Sequence, residues 1–255
     1  MKQFLLDLLF PKFCLGCKRE GSYLCEDCRS LLDITQFYYC LCSRNHQTIP
    51  PNEKYGKCSR CQNKKLSGLY FALPYKEGHI TKKLIYKFKY KPYLKDLAKT
   101  LAGILIEHFI ITQKNTDAIW KNSVLVPVPL DKKKIKIRGY NQSEELAKEL
   151  SKVLQVPIIS DVLIKTKITS PQMELKKEAR EKNLLGAFAV SDSSVIASEV
   201  RPLGDERGNP ESIKNKKIFL VDDVYTTGCT MEECARVLRD AGAKSVWGIA
   251  IAREG

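Results

Sequence analysis

The sequence predicts an α/β protein with a mainly parallel sheet and flanking helices, preceded by a small cysteine-rich domain. Two observations lead to this fold class. Short apolar segments alternate with helical segments after residue 70, as in proteins built from strand–helix–strand units. Eight of the ten cysteines lie between Cys14 and Cys61, and this clustering indicates a second, unlike unit.

The predicted elements follow from the periodicity of the apolar residues. Three segments have helical spacing, and one of them ends at Gly242, a residue type that often terminates helices. Three short apolar runs are predicted to be strands, one of them continuous, as expected for a strand covered on both faces. The predicted helices are 94–111, 143–154 and 231–241, and the predicted strands are 124–130, 218–221 and 245–252.

Two segments depart from this pattern. Residues 191–217 are polar and rich in proline and glycine, and they are predicted to form a mobile surface insertion. Residues 1–9 are predicted to form a short amphipathic helix. Asp7 interrupts their apolar run and no small-residue cleavage pattern follows, which argues against a signal peptide.

The composition is typical of a cytoplasmic protein. No run approaches the ~20 apolar residues needed to span a bilayer. Thiols stay reduced in the cytoplasm, so the clustered cysteines are expected to bind metal rather than to form disulfides. The net charge of +14 is partly local, with lysine-rich runs at 76–99 and 132–138. Such runs favour an anionic partner, either a polyphosphate ligand or nucleic acid, although a solvated lysine-rich face has the same composition.

The cysteine spacing predicts structural zinc. A C-x-x-C turn directs two thiolates toward one centre, and two such turns complete a tetrahedral site that stabilises a domain too small for its own core. The simplest pairing gives two tetrads; a cross-braced pairing and a redox role are the alternatives. The second tetrad has a less regular C-x-C pair, for which His46 is an alternative ligand, so one or two zinc ions are expected. The predicted ligands are Cys14, Cys17, Cys25 and Cys28 in the first tetrad and Cys40, Cys42, Cys58 and Cys61 in the second.

Residues 218–230, IFLVDDVYTTGCT, carry the clearest functional signal. Asp222 and Asp223 end a predicted strand, and small hydroxyl residues lead from them into a helix. A small-residue loop before a helix N-terminus binds phosphate through backbone N–H groups and the helix dipole. The two carboxylates are expected to lie about the length of one sugar from that phosphate. There they can accept hydrogen bonds from two vicinal hydroxyls. A 5-phosphorylated ribose satisfies both requirements.

Two classes of protein that carry acids at a strand end do not fit this chain. A Walker B strand ends in acids, but the chain has no G-x-x-x-x-G-K-[ST] motif, which excludes P-loop NTPases. The phosphoacceptor acids of response regulators lie near the start of their domain, whereas this pair follows several predicted elements.

The same thirteen residues resemble the phosphoribosyl pyrophosphate (PRPP) motif of type I phosphoribosyltransferases. The resemblance implies that Asp222 and Asp223 bind the ribose hydroxyls, that the following loop binds the 5′-phosphate, and that Mg²⁺ accompanies PRPP. Cys229 stands where such loops usually carry serine or alanine, and it is interpreted as a tolerated small residue. The implied phosphate-binding residues are Thr226, Thr227, Gly228, Cys229 and Thr230.

The rest of the chain resembles the ComF family of competence-associated proteins. These proteins also carry an N-terminal double zinc ribbon, so we expect a ribbon domain over 1–70 and a type I phosphoribosyltransferase-like domain over 71–255. The chain departs from the family at the C-x-C pair, at Cys229 and at the 191–217 insertion. The similarity rests on LIYKFKY at 84–90, VLVPVPL at 124–130, RGYNQ at 138–142, GAF at 186–188, and Gln172, Leu175, Arg180 and Asn183.

Further site residues follow from the ComF resemblance. Lys132 and Arg138 are expected to face the pyrophosphate from a basic loop at a strand end, where open α/β sheets bind ligands. Asn141, Gln142 and Arg180 are expected in a substrate loop. The alternatives are a helix-capping network for Arg138, Asn141 and Gln142, and an exposed charged helix for Arg180.

Two kinds of function remain open, and no catalytic residue is singled out. An enzyme would displace pyrophosphate from C1 of PRPP with a nitrogen nucleophile, while Mg²⁺ stabilises the leaving group. A binding module of the same fold would sense PRPP or hold nucleic acid without turnover. The ComF resemblance implies a role in the uptake of single-stranded DNA, with a protein partner in the competence machinery. Lys87, Lys89 and Tyr90 are the predicted nucleic-acid contacts, because interleaved cations and aromatic rings suit backbone contact and base stacking.

Overall fold

The computed structural model describes residues 10–34, 40–42, 58, 61–114, 117–167, 184–191 and 210–254. The helix predicted at 1–9, residues 192–209 of the predicted insertion, and the candidate residues His46 and Arg180 lie outside these ranges. No helix in the described ranges combines the length and the apolar character that crossing a membrane requires.

The described elements alternate between helices and strands. In chain order they are α1 (Glu26–Ser30), β1 (Leu66–Pro74), α2 (Ile80–Lys89), α3 (Leu97–Ile111), α4 (Asp117–Trp120), β2 (Ser123–Pro127), α5 (Lys132–Arg138), α6 (Gln142–Leu154), β3 (Leu163–Lys165), β4 (Phe188–Val190), α7 (Pro210–Ile213), β5 (Lys217–Tyr225), α8 (Cys229–Asp240) and β6 (Ser245–Arg253).

A parallel four-stranded sheet with the order β1–β6–β5–β2 forms the centre of the fold. Strands β5 and β6 are the inner pair and are almost entirely buried, which explains why their apolar runs are continuous. Strands β3 and β4 form a separate antiparallel pair. The predicted α/β class with a mainly parallel sheet and flanking helices is confirmed.

Helices cover both faces of this sheet. The first face packs against α2, α3 and α6, and Phe219 lies fully buried there between Tyr70 and Trp120. The second face packs against α8, and Leu220 belongs to that core. Because neighbouring side chains of a strand point to opposite faces, β5 contributes to both cores. All four strands run in the same direction, so their carboxyl ends meet at one edge of the sheet, where the acidic pair lies.

Strand β5 is longer than the sequence predicts. The apolar run ends at Val221, but the strand continues through both aspartates to Tyr225. Pairing with β6 explains the extension, because the parallel register holds as far as Tyr225 opposite Arg253. The two acids are therefore held in a regular strand.

Helix α8 begins two residues before its predicted start. Gly228 precedes it in the left-handed conformation, with φ of 78°, and the first intrahelical bond runs from Glu232 N–H to Gly228 O at 2.9 Å. Cys229 and Thr230 therefore belong to the first helical turn rather than to the loop. At the other end of the domain, β1 begins at Leu66, so the boundary predicted at residue 70 falls inside a strand of the sheet.

Candidate functional site

The acidic pair at the end of β5 is the centre of the candidate site. Both carboxylate oxygens of Asp223 lie close to Lys89 Nζ, at 3.0 and 2.9 Å, and the Asp223 side chain is only 3% exposed. Asp222 Oδ1 accepts hydrogen bonds from Ser143 Oγ at 3.0 Å and from the Asp223 N–H at 2.8 Å. One carboxylate is thus paired with a cation, and the other is held by neutral donors.

Helix α2 delivers Lys89 to the acidic pair. Lys89 is the last residue of the helix, next to Phe88, which is fully buried in the core of the first face. The Phe88 carbonyl accepts a hydrogen bond from the buried Tyr140 hydroxyl. The backbone that carries Lys89 is therefore fixed from two sides.

Helix α6 delivers Ser143, and its N-terminus is held by Asn141. Asn141 Oδ1 accepts from the Ser143 N–H at 3.1 Å, as an N-cap residue does, and Asn141 Nδ2 donates to Val128 O at 3.0 Å. Arg138 donates to the Gln142 side chain. These contacts have the geometry of the helix-capping network, and they fasten α6 to the end of β2.

The loop after the acidic pair is tight, because Gly228 lies against Tyr225. A Cβ atom at Gly228 would overlap the Tyr225 hydroxyl, and the positive φ is a second reason for glycine there. Thr226 and Thr227 are partly exposed, and Thr227 Oγ1 donates to Cys229 Sγ at 3.0 Å. A hydroxyl-bearing loop that enters a helix N-terminus favours an anion such as phosphate.

Burial and repulsion from Asp223 act on the charge of Asp222. Burial, followed by the neighbouring charge of Asp223, raises the pKa of Asp222 to about 7. Burial lowers the pKa of Lys89, but the charges of Asp223 and Asp222 outweigh it and the net shift is upward. Lys89 therefore remains an ammonium ion beside the carboxylates.

Comparison with known proteins agrees with this geometry. Residues 140–254 match the phosphoribosyl transferase domain family, and this segment contains α6, β5, the loop and α8. Competence protein F of Haemophilus influenzae is 30% identical over 169 residues, which are 66% of this chain and 66% of that protein. The chain belongs to the ComF family.

Two further relatives extend the ComF similarity. DNA utilization protein YhgH of Escherichia coli is 25% identical over 88% of this chain and 93% of its own length. Competence protein ComFC of Bacillus subtilis is 30% identical over 48% of this chain and 40% of its own length. The family resemblance predicted from the motifs is confirmed.

The eight N-terminal cysteines form the two tetrads predicted from their spacing. In each tetrad the four sulfur atoms lie within 4.8 Å of one another. A tetrahedral zinc ion bound at ~2.3 Å holds its sulfur ligands about 3.8 Å apart. The Cys17–Cys25 distance of 3.5 Å and the Cys42–Cys58 distance of 3.7 Å fit that geometry. The pairing along the chain, rather than the cross-braced alternative, is the one observed.

Backbone N–H groups also favour a thiolate in each tetrad. Burial raises the pKa of Cys14, but the N–H groups of Cys25, Cys17 and Gly16 lower it to about 6. In the second tetrad, burial raises the pKa of Cys40, and the N–H groups of Cys42 and Cys58 lower it to about 6. Thiolates are the form that zinc binds, so both donor sets fit this ion.

The first tetrad is attached to the helices of the first face. Arg29, in α1 beside this tetrad, donates to Glu107 of α3 at 2.8 and 3.0 Å. Gly16 packs so closely on Cys28 and Ile80 that a Cβ atom there would lie 2.7 and 2.8 Å from their side chains.

The second tetrad is attached to the candidate site. The Tyr225 hydroxyl, which lies against Gly228, donates to Leu41 O at 3.0 Å, and Arg253 Nη2 donates to Cys42 O at 3.0 Å. Glu232, in the first turn of α8, accepts from the N–H groups of Lys65 at 2.6 Å and Leu66 at 3.2 Å. Leu41 therefore holds the residue before the loop, and Lys65 and Leu66 hold the first turn of the helix after it.

The structure brings some predicted site residues together and separates others. Asp222, Asp223 and the loop adjoin, as the sequence predicts. Lys89 lies with them, although the sequence grouped it with Lys87 and Tyr90 as a nucleic-acid contact. Lys132 is exposed at the start of α5, and its pyrophosphate contact stays a prediction.

Sequence reasoning missed Ser143 and the role of Lys89. The buried residues Leu84, Ile85 and Phe88 mark the core-facing side of α2. Lys89 follows Ile85 by four residues and so lies at the edge of that side. This spacing was the available signal for Lys89, whereas no local pattern marked Ser143.

Proposed function

We propose that the protein binds PRPP, together with Mg²⁺, at the carboxyl edge of its sheet, and that it serves the uptake or use of single-stranded DNA. The observation that carries the ligand assignment is the adjacency of three features. The acidic pair lies near the carboxyl end of β5, the threonine loop begins directly after that strand, and the N-terminus of α8 closes the loop. This order matches a phosphorylated sugar: the acidic pair would bind two vicinal hydroxyls of the sugar, and the loop would bind its phosphate.

The charges of the site suit this ligand and its cation. Asp222 is bonded through Oδ1 to neutral donors, and a carboxylate of this kind accepts hydrogen bonds from ribose hydroxyls. Mg²⁺ is commonly bound by one or two carboxylates together with the phosphates of a substrate. The residues present therefore fit a cation that arrives on the pyrophosphate, where it would supply charge stabilisation to the leaving group.

The role in DNA handling rests on the relatives. Two of them are named as competence proteins and a third as a DNA utilization protein, and the alignment with the third spans 93% of its length. A phosphoribosyltransferase-type domain and two cysteine tetrads in one chain are the features expected of that family.

The ligand assignment predicts that Gly228→Ala weakens PRPP·Mg²⁺ binding at least about tenfold in calorimetric titration. The added methyl group overlaps Tyr225 and moves the loop away from the phosphate. Gly78→Ala is the matched control, because Gly78 has φ of 76° but no atom within 4 Å of the added Cβ. Alanine in this left-handed conformation should lower the stability of the control by about 1–2 kcal/mol but leave its affinity for PRPP·Mg²⁺ unchanged. Equal affinity in the two variants would refute the phosphate site.

Release of pyrophosphate from PRPP distinguishes an enzyme from a binding module. The reaction is followed with Mg²⁺ alone, with added nucleobases and with added single-stranded DNA. Release that depends on one of these acceptors identifies the nucleophile. Binding without release under all conditions assigns the protein to the sensing class.

A pair of exposed tyrosines favours single-stranded nucleic acid as a second ligand. Tyr86 and Tyr90 are 50% and 40% exposed, and their ring centroids are 4.9 Å apart. Lys83 and Lys87 accompany them on the side of α2 that faces away from the core. Aromatic rings offer stacking surfaces to bases, while lysines contact the phosphate backbone. We call this group, Lys83, Tyr86, Lys87 and Tyr90, the tyrosine face.

The tyrosine face predicts that Tyr86→Ala with Tyr90→Ala weakens oligo(dT) binding about tenfold or more, since stacking contributes ~1–3 kcal/mol per base. In a separate variant, Lys83→Glu with Lys87→Glu should weaken oligo(dT) binding at low salt and reduce the salt dependence of that binding. Fluorescence anisotropy measures both effects. The charge-matched control is Lys121→Glu with Lys244→Glu, because these exposed lysines precede β2 and β6 at the opposite edge of the sheet. Equal losses in the two charge-reversed variants would contradict a localised surface.

A further inference from the structure

The ion pair between Lys89 and Asp223 places a cation inside the candidate site. Lys89 Nζ lies within hydrogen-bond distance of both Asp223 oxygens, and Asp223 is 3% exposed. A carboxylate buried to this degree needs a counter-ion, because desolvation of an unpaired charge is strongly unfavourable. Lys89 supplies that counter-ion from within the chain.

A divalent cation would compete with Lys89 for the same carboxylate. Two adjacent carboxylates at the end of a strand attract Mg²⁺, and carboxylate oxygens are its preferred protein ligands. An ammonium ion at 2.9–3.0 Å from Asp223 neutralises one of the two charges and repels a second cation. A free divalent ion therefore meets a carboxylate that already has a counter-ion.

Contacts of the neighbouring residue hold Lys89 in this position. Its backbone is fixed by the buried Phe88 and by the hydrogen bond from Tyr140 to the Phe88 carbonyl. Its side chain is 31% exposed, so the protein covers most of it. The helix thus keeps the ammonium close to the acidic pair.

We propose that Lys89 is the resident cation of the acidic pair, which excludes free divalent ions and restricts the site to a metal that arrives bound to the ligand. This inference rests on the proposed PRPP·Mg²⁺ ligand and specifies how that site selects it. The pyrophosphate oxygens already coordinate the metal of PRPP·Mg²⁺. That metal therefore needs fewer coordination bonds from the two aspartates than a free ion does. Lys89 is accordingly a specificity-determining residue that acts through Asp223.

The test measures Mn²⁺ binding to the ligand-free protein by electron paramagnetic resonance. The wild type, Lys89→Arg and the control Lys87→Met should show no Mn²⁺ bound at the acidic pair. Lys89→Met should bind one additional Mn²⁺ per chain, and adding Asp222→Asn to that variant should abolish it. Lys89→Gln serves as a second neutral variant, and circular dichroism verifies that each protein is folded.

The outcomes separate this inference from the proposed function. Equal Mn²⁺ binding by wild type and both neutral variants would overturn the role of Lys89, whether all bind or none does. Exclusion of Mn²⁺ by the wild type, with binding by both neutral variants and no calorimetric response to PRPP·Mg²⁺, supports the resident cation and refutes the ligand. A response to PRPP·Mg²⁺ combined with equal Mn²⁺ binding refutes the resident cation and leaves the ligand in place.

Discussion

Replacing Cys42 with serine is expected to remove the metal from the second tetrad and to weaken PRPP binding about tenfold or more. Cys42 and Leu41 present the carbonyl groups that accept hydrogen bonds from Arg253 and Tyr225. A metal bound by the four thiols would fix the position of both carbonyl groups, so its loss is expected to weaken both bonds. Two hydrogen bonds of about 0.5–1.5 kcal/mol each account for that change in affinity, because ~1.4 kcal/mol corresponds to a factor of ten.

The first tetrad provides the matched control. Cys17→Ser removes one ligand of a site that is attached to α3 through Arg29 and that packs on Ile80, at the opposite end of α2 from Lys89. It should lower the melting temperature and the zinc content while leaving PRPP affinity within about threefold of the wild type, a difference of less than ~0.7 kcal/mol. Metal analysis should give two equivalents of zinc for the wild type and one for each variant. Equal losses of affinity in Cys42→Ser and Cys17→Ser would contradict a specific link between the second tetrad and the loop.

The parts of the site that sequence predicted are those encoded by contiguous residues. Asp222, Asp223 and the threonine loop follow one another along the chain, so strand geometry and helix-terminus chemistry are enough to place them together. The tetrads were predictable for a related reason. Each C-x-x-C turn, like the C-x-C pair of the second tetrad, supplies half of a metal site locally, and chain order then paired the halves correctly.

The parts that sequence missed depend on contacts between distant elements. Lys89 and Asp223 are 134 positions apart, and Ser143 and Asp222 are 79 apart. Only the packing of α2 and α6 on the same end of the sheet brings these groups together. The lysine-rich composition around Lys89 favoured an exposed role, because a single inward-facing lysine cannot be distinguished by composition from its solvated neighbours.

Tertiary contacts also explain the displaced element ends. Apolar character alone ended β5 at Val221, but pairing with β6 extends the strand through two aspartates, a residue type that is depleted in strands. The close contact between Gly228 and Tyr225 fixes the start of α8, and Tyr225 is in turn held by Leu41 of the N-terminal domain. The C-terminal segment alone does not contain this partner.

The acidic pair is expected to be indispensable for ligand binding. Asp222→Asn with Asp223→Asn keeps the shape of both side chains but removes their charge and half of their acceptor capacity. Each hydrogen bond to a charged group contributes about 1.5–3 kcal/mol, so the loss of two should weaken PRPP·Mg²⁺ binding about 100-fold or more. Asp96→Asn with Asp240→Asn changes the net charge equally at side chains that are 65% and 57% exposed, and it should leave the affinity unchanged.

Calorimetric titration of these three proteins with PRPP·Mg²⁺ tests the ribose assignment most directly. We expect the same affinity for the wild type and the Asp96/Asp240 variant, and an affinity about 100-fold or more weaker for the Asp222/Asp223 variant, provided that all three unfold cooperatively at similar temperatures. Binding of PRPP·Mg²⁺ by the Asp222/Asp223 variant with wild-type affinity would contradict the assignment.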